Sequence, residues 1–209
     1  MLVILSSSAN TQSRLEQCAT KRSTAITAIV KMKKDTDSLA NQRLAAIDKD
    51  WQDCVVDAPM PSFTREAIRG GLLESKELKG KIVLINFWFT SCAPCIAEMP
   101  GLNRLADEYK GNNVVFVGFT FEDKNKIETE FLPSHRFDFR IVPDAGDLEK
   151  VFGINDYPST FIVDATGRIR SAWSGGPNGP TAKDEVYNKI KPILDGLINE
   201  KKEMTISGN

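Results

Sequence analysis

The apolar residues of this chain follow two rhythms, helical and continuous. Over residues 13–53, Leu15, Cys18, Arg22, Ile26 and Ile29 fall on one helical face, and Ala40, Leu44, Ile47 and Trp51 on another. Between them Lys33-Lys34-Asp35-Thr36-Asp37-Ser38 offers basic residues to end one helix and N-cap candidates to open the next. The pattern predicts a helical hairpin, with helix one to about Lys34 and helix two from about Asp37. From Ile82 to Trp88 the rhythm changes to an almost unbroken run of β-branched and aromatic side chains, which reads as a strand buried on both faces. Ile96, Met99, Leu102, Leu105, Ala106 and Tyr109 return to helical spacing, and Val114–Phe119 is a second buried strand. A helix between two such strands is a βαβ unit, which requires a parallel pair.

The remaining elements are shorter. Asp123 to Phe131 reads as a helix ended by Pro133, Phe137 to Val142 as a short strand, and Leu148 to Phe152 as a helix stopped by Gly153. Thr160–Val163 and Ile169–Ser174 flank an Ala165-Thr166-Gly167 turn and read as an antiparallel pair. Thr181 caps a closing helix carrying Val186, Ile190, Leu194, Leu197 and Ile198. The fold class is α/β, a central mixed sheet flanked by helices with an N-terminal helical extension. The expected division is 1–12 as a tail or signal-peptide remnant, 13–56 as the extension, 57–203 as the main domain and 204–209 as a tail. Asp57-Ala58-Pro59-Met60-Pro61 marks the boundary, because prolines and the residues before them disfavour helix.

Chemistry enters where the first buried strand hands over to its helix, at Cys92-Ala93-Pro94-Cys95. A helix start presents unpaired N–H groups and the positive end of the dipole, which stabilise a thiolate. Cys92 should then be an exposed nucleophile. Cys95, one turn on, can attack the mixed disulfide that Cys92 forms and release the product. Pro94 suits a first turn because it loses no needed N–H there. A structural zinc site needs four ligands. Besides this pair the chain has only Cys18, Cys54 and the single His135, in no ligand spacing. No metal is expected.

Cys18 and Cys54 stand 18 residues either side of Thr36, so a hairpin turning there brings them together. In one straight helix they would be about 54 Å apart at 1.5 Å per residue. A structural disulfide is expected. The formal net charge of −1 gives no reason to expect nucleic acid, and no apolar run reaches the length of a membrane span. The opening Met1-Leu2-Val3-Ile4-Leu5-Ser6-Ser7-Ser8-Ala9 is either an unstructured tail or resembles the end of a signal peptide.

Several segments now combine. Asn86-Phe87-Trp88, Cys92-Ala93-Pro94-Cys95, Glu98 and Pro100 resemble the TlpA/ResA-like branch of the thioredoxin superfamily. Leu78-Lys79-Gly80-Lys81, Val114–Phe119, Tyr157-Pro158 with the strand after it, and Gly167-Arg168-Ile169 match in order, from about Ala58 to Lys201. The resemblance implies a thioredoxin fold with an N-terminal hairpin at Ser62–Ile68 and Leu72-Leu73, and a cis bond at Tyr157–Pro158. It implies a redox-active Cys92–Cys95 disulfide, with Glu98 tuning the thiolates. It implies a substrate-binding surface of Tyr157, Pro158, Ala93, Pro94 and Trp88, with Trp88 packed beneath the site.

The activity implied is thiol–disulfide exchange with cysteines of exported proteins, apocytochrome c among them, as a reductant. It requires no bound cofactor and takes electrons from a membrane or envelope dithiol. The expected location is the cell envelope or periplasm, soluble or anchored through a missing N-terminal segment. Two departures stand out: Ser91 where many relatives carry tryptophan, and Asn86 where thioredoxin itself carries a buried acid. The alternatives are a peroxiredoxin-like peroxidase, whose PxxxTxxC pattern is broken by Ile85 and Phe89, and a copper-binding assembly factor, whose usual CxxxC spacing is not the one here.

Overall fold

In the computed structural model, residues 13–31 and 37–207 are described. The readings for residues 1–12 and for the hairpin turn at 32–36 lie outside them. Helices α1 (Arg14–Lys31) and α2 (Asp37–Val55) pack on each other. Cys18 and Cys54 are disulfide-bonded, Cα to Cα 5.8 Å. Next come β1 (Thr64–Ala67) and β2 (Gly71–Glu74), an antiparallel pair, then a single 3-10 turn and β3 (Ile82–Phe87). Helix α3 (Ala93–Glu108) leads to β4 (Val114–Phe119) and the single-turn α4 (Lys124–Lys126). Beyond lie β5 (Arg140–Val142), α5 (Gly146–Phe152), β6 (Ser159–Val163), β7 (Ile169–Ser174) and the long α6 (Ala182–Ser207).

Strands β3 to β7 form one mixed sheet of order β5-β4-β3-β6-β7. β3 runs parallel to β4 and antiparallel to β6. This is the thioredoxin fold. Every residue of β3 is buried, and its side chains alternate between two apolar layers. Val83, Ile85 and Phe87 join Phe161, Val163, Leu15, Cys18, Trp51 and Val55 on one face. Ile82 and Leu84, followed by Trp88, join Met99, Leu102 and Leu105 of α3 and Ile190, Leu194 and Leu197 of α6 on the other. The helical hairpin is therefore part of the same core, with Trp51 edge-on to Phe161 at 5.7 Å between centroids. On the opposite face Gly101 lets α6 close on α3, since a Cβ there would sit 2.0 Å from the Lys183 carbonyl oxygen.

Four local expectations are corrected. α6 continues to Ser207 rather than giving way to a tail at 204, because residues 201–207 hold no proline or glycine to break it. The helix expected over Asp123–Phe131 becomes one α-turn and a π-turn, Ile127–Phe131, which turns both Ile127 and Phe131 inward. The strand expected over Phe137–Val142 shortens to Arg140–Val142, because only these residues pair with β4, and the Asp138 N–H donates to Asn103 Oδ1 at 2.9 Å instead of to a neighbouring strand. α5 begins two residues before Leu148 and stops at Gly153 in the left-handed region, φ 71°.

The Cys18–Cys54 bond closes a 36-residue separation. On the chain-entropy argument, Cys18→Ser with Cys54→Ser should lose roughly 3–4 kcal/mol of stability. Urea denaturation of the double variant against the parent, both with Cys92–Cys95 oxidised, measures it.

Candidate active site

β3 delivers the chain to the cysteines through a tight turn, in which the Cys92 N–H donates to the Phe89 carbonyl at 3.1 Å. Cys92 is the N-cap of α3, and its Sγ accepts the Cys95 N–H at 3.3 Å. Pro94 sits in the first turn. Cys92 and Cys95 are joined as a disulfide, Cα to Cα 5.2 Å. The expectation of an exposed nucleophile is corrected for this oxidised state, in which Cys92 is only 4% exposed. Bonding to Cys95, which packs in the layer with Trp88 and Met99, turns the Cys92 sulfur inward. Its neighbours Ser91 and Ala93 are exposed, and Pro94 is half-buried.

The turn itself is held by Glu122, a residue the sequence reading missed. Its carboxylate accepts from the Thr90 N–H at 2.6 Å, the Thr90 hydroxyl at 2.7 Å and Lys126 Nζ at 2.6 Å. Burial pushes its pKa up, but the Lys126 and Thr90 hydrogen bonds outweigh this and hold it below the usual value.

The Tyr157–Pro158 bond is cis, and the Pro158 carbonyl accepts the Gly175 N–H at 2.8 Å. Glu98 reaches the same place from α3. A Cβ added to Gly176 would lie 3.2 Å from Pro158 Cγ and 3.4 Å from Glu98 Oε2, so these three residues meet. Glu98 is 2% exposed, and Asn86 Nδ2 donates to its Oε1 at 2.9 Å and to Thr160 Oγ1 at 3.1 Å. Burial raises the Glu98 carboxyl from 4.5 to about 8, against the opposing pull of Asn86 and of Lys189. At neutral pH it is largely protonated. With Oε1 taken by Asn86, the proton falls to Oε2, on the side of Pro158.

Asn86 on β3 thus does not leave the site without a buried acid. The acid comes from the helix, and the strand amide holds it.

Trp88 is corrected as a substrate contact. It is fully buried, 4.9 Å from Phe131 and 5.2 Å from Phe137 between ring centroids, and forms part of the floor. Tyr157 is half-buried, its hydroxyl donating to Glu149. Its ring stands edge-on to Phe89 at 5.0 Å and 6.2 Å from Phe121, which is 47% exposed. Phe89, Phe121 and Tyr157 form an aromatic ledge beside the disulfide. Sequence reading missed the ledge, because Phe121 sits in a loop where no periodicity marks its direction. Among the described residues no group of three or more His, Cys, Asp or Glu side chains is placed to hold a metal ion.

Residues 56–172 match the AhpC/TSA family model. The chain belongs to the AhpC/TSA family. Within it the similarity runs to thiol–disulfide oxidoreductases. The "Thiol-disulfide oxidoreductase ResA" of Halalkalibacterium halodurans is 32% identical over 132 residues, 63% of this chain and 74% of that protein. The "Thiol:disulfide interchange protein DsbE" of Pseudomonas fluorescens biotype C is 32% identical over 146 residues, 68% of this chain and 79% of that protein. Among solved structures, a thiol:disulfide interchange protein of the thioredoxin family from Chlorobium tepidum superposes with a TM-score of 0.52. It is 24% identical and covers 63% of this chain and 94% of that one. This AhpC/TSA member is accordingly a thiol–disulfide oxidoreductase of thioredoxin fold, and it carries a disulfide-bonded CxxC pair at Cys92 and Cys95.

The Glu98 carboxyl ties stability to pH. The folded protein keeps a proton up to about pH 8 that the unfolded chain releases near 4.5, so stability should fall as pH rises through that window. Glu98→Gln, which keeps the shape without the proton, should flatten the decline by on the order of a few kcal/mol. Urea midpoints of the oxidised protein between about pH 5 and 8 measure it. A parent curve as flat as the variant's would mean that Glu98 is not held protonated.

Proposed function

We propose that Cys92 is the attacking thiol, Cys95 the resolving thiol and Glu98 the proton store of a protein-disulfide reductase. The observation that carries this is the Cys95 N–H aimed at Cys92 Sγ from the helix N-terminus, since a donor there favours the thiolate. In the reduced protein the Cys92 thiolate attacks one sulfur of a substrate disulfide. The substrate S–S bond breaks, a mixed disulfide forms, and the departing thiolate takes a proton. The Cys95 thiol then loses its proton and attacks Cys92 Sγ, releasing the second substrate thiol and leaving Cys92–Cys95 oxidised. Two electrons pass to the substrate. Glu98, one helical turn past Cys95, exchanges protons as charge moves on and off the sulfurs, a role its buried, protonated carboxyl supports.

The substrates are proteins bearing cysteines or disulfides. Ala93, Pro94 and Tyr157 rim the docking surface, with the buried Pro158 behind Tyr157, and an extended substrate segment lies along it. The Phe89–Phe121–Tyr157 ledge receives an apolar side chain next to the target cysteine. Electrons return from an envelope dithiol donor, and the exchange itself requires no cofactor. The structural Cys18–Cys54 disulfide supports an oxidising compartment such as the cell envelope, where such bonds persist. No described helix is long and apolar enough to cross a membrane.

The roles of the two cysteines separate in variants. Cys95→Ser should accumulate a mixed disulfide with a disulfide substrate such as insulin, because the resolving step is gone, whereas Cys92→Ser should form none and lose at least about a hundredfold in rate. Non-reducing electrophoresis with mass mapping reads both. Adducts on Cys95 in the Cys92→Ser protein, in the yield seen for the opposite variant, would reverse the assignment.

A further inference from the structure

Arg22 of α1 is an unexpected residue to find inside a core. Its side chain is fully buried, and burying a guanidinium is costly unless it is paired and hydrogen-bonded. Its partners come from three separate parts of the chain. Nη2 donates to Asp48 of α2 at 2.6 Å, to Asp156 at 3.0 Å and to the Ser174 hydroxyl, while Nε reaches Asp48 at 3.1 Å. The guanidinium carbon lies 4.4 Å over the Trp51 ring.

Two of these partners border the active site. Asp156 precedes Tyr157-Pro158, and the Ser159 hydroxyl donates to its carbonyl at 2.6 Å. Ser174 ends β7 and precedes Gly175, whose N–H holds the Pro158 carbonyl. One guanidinium from the helical hairpin therefore grips both segments that shape the Pro158 corner. The contact is built in twice. A Cβ on Gly153, just before this loop, would lie 2.3 Å from Ala19 Cβ, so only glycine lets α1 seat against the end of α5. One turn before Arg22, Cys18 bonds α1 to α2, the helix that also supplies Asp48. The clamp arises from α1 and α2, N-terminal to the residues 56–172 that match the family model.

We infer that Arg22 is a positioning residue for protein-substrate docking, holding the Asp156–Pro158 loop and the Ser174–Gly175 segment in register opposite Cys92 through its bonds to Asp156 and Ser174. The hairpin thereby forms a supporting wall of the docking surface as well as covering the sheet. Its consequence for catalysis rests on the disulfide-exchange mechanism proposed above, and its structural consequence does not.

Arg22→Leu would strand Asp48 and is open to misfolding, so the deciding variant is Asp156→Asn. The Asp156 side chain is 57% exposed, and Arg22 keeps Asp48 when the Asp156 charge is removed. Two readouts apply to the full chain. Hydrogen exchange of the backbone amides over residues 154–159 should speed up in Asp156→Asn by about fivefold or more, with exchange in β3 unchanged. In insulin reduction driven by dithiothreitol, KM for insulin should rise by about fivefold while kcat stays within about twofold, the pattern of lost docking rather than lost chemistry. Arg22→Lys, which keeps the charge but not the forked geometry, should show the same split. Unchanged exchange over 154–159 in a folded Asp156→Asn protein overturns the clamp, whether or not insulin is reduced. Faster exchange with an unchanged KM, or with a fall confined to kcat, overturns its role in docking.

Discussion

A strand buried on both faces must be covered twice, and the rest of this molecule is arranged by that requirement. β3 sends Val83, Ile85 and Phe87 to one side and Ile82, Leu84 and the following Trp88 to the other. One side takes α3 and α6, the other α5 and the N-terminal hairpin. The same strand ends at the turn that presents Cys92. The Cys92–Cys95 disulfide is thus fixed to the end of a strand buried throughout, while the loops around it carry the more accessible Phe121 and Tyr157.

That burial sets the electrostatics of the site. Asn86 is on the α3 side of β3, in a layer otherwise apolar, and an unpaired amide there would cost free energy. It spends its two N–H bonds on Glu98 and Thr160. The arrangement satisfies the amide's N–H groups but leaves Glu98 with little compensation for losing water, and Lys189, itself partly buried and 4.2 Å over the Trp173 ring, adds a smaller opposing pull than the Asn86 hydrogen bond. Desolvation wins, and a carboxyl that would be ionised in water keeps its proton in the neutral range. A group able to give or take a proton near neutral pH suits a pair of sulfurs that alternate between thiolate and disulfide.

The opposite face solves a different problem. An appended pair of helices, α1 and α2, has to be attached firmly enough to remain part of the core, and it is attached by two unlike means. Leu15, Trp51 and Val55 bury apolar surface, and Arg22 forms directional bonds to Asp156 and Ser174, while Cys18–Cys54 ties the two helices to each other. Of the two attachments only the second depends on the angle of approach. It is also the one that ends beside Pro158.

By itself the sequence determined what is local or periodic. The buried strands, the βαβ order, the two helices of the hairpin, the CxxC at a helix start and the turns at glycine and proline all follow from spacing and backbone preference. Boundaries slipped where a local pattern lacks its partner, as at Phe137 and Phe139, whose alternation reads as strand although the Asp138 N–H between them is taken by Asn103. Tertiary structure alone decided which polar side chain meets which. Asn86 and Glu98 are 12 residues apart, Thr90 and Glu122 are 32 apart, and Arg22 and Asp156 are 134 apart. None of these pairs carries a spacing that predicts it, because each is set by how two separate elements pack, and a long-range contact has no period to read. The cysteine pair and Glu98 were therefore legible from the chain, while the side chains that hold Glu98 and the Arg22 contacts to Asp156 and Ser174 were not.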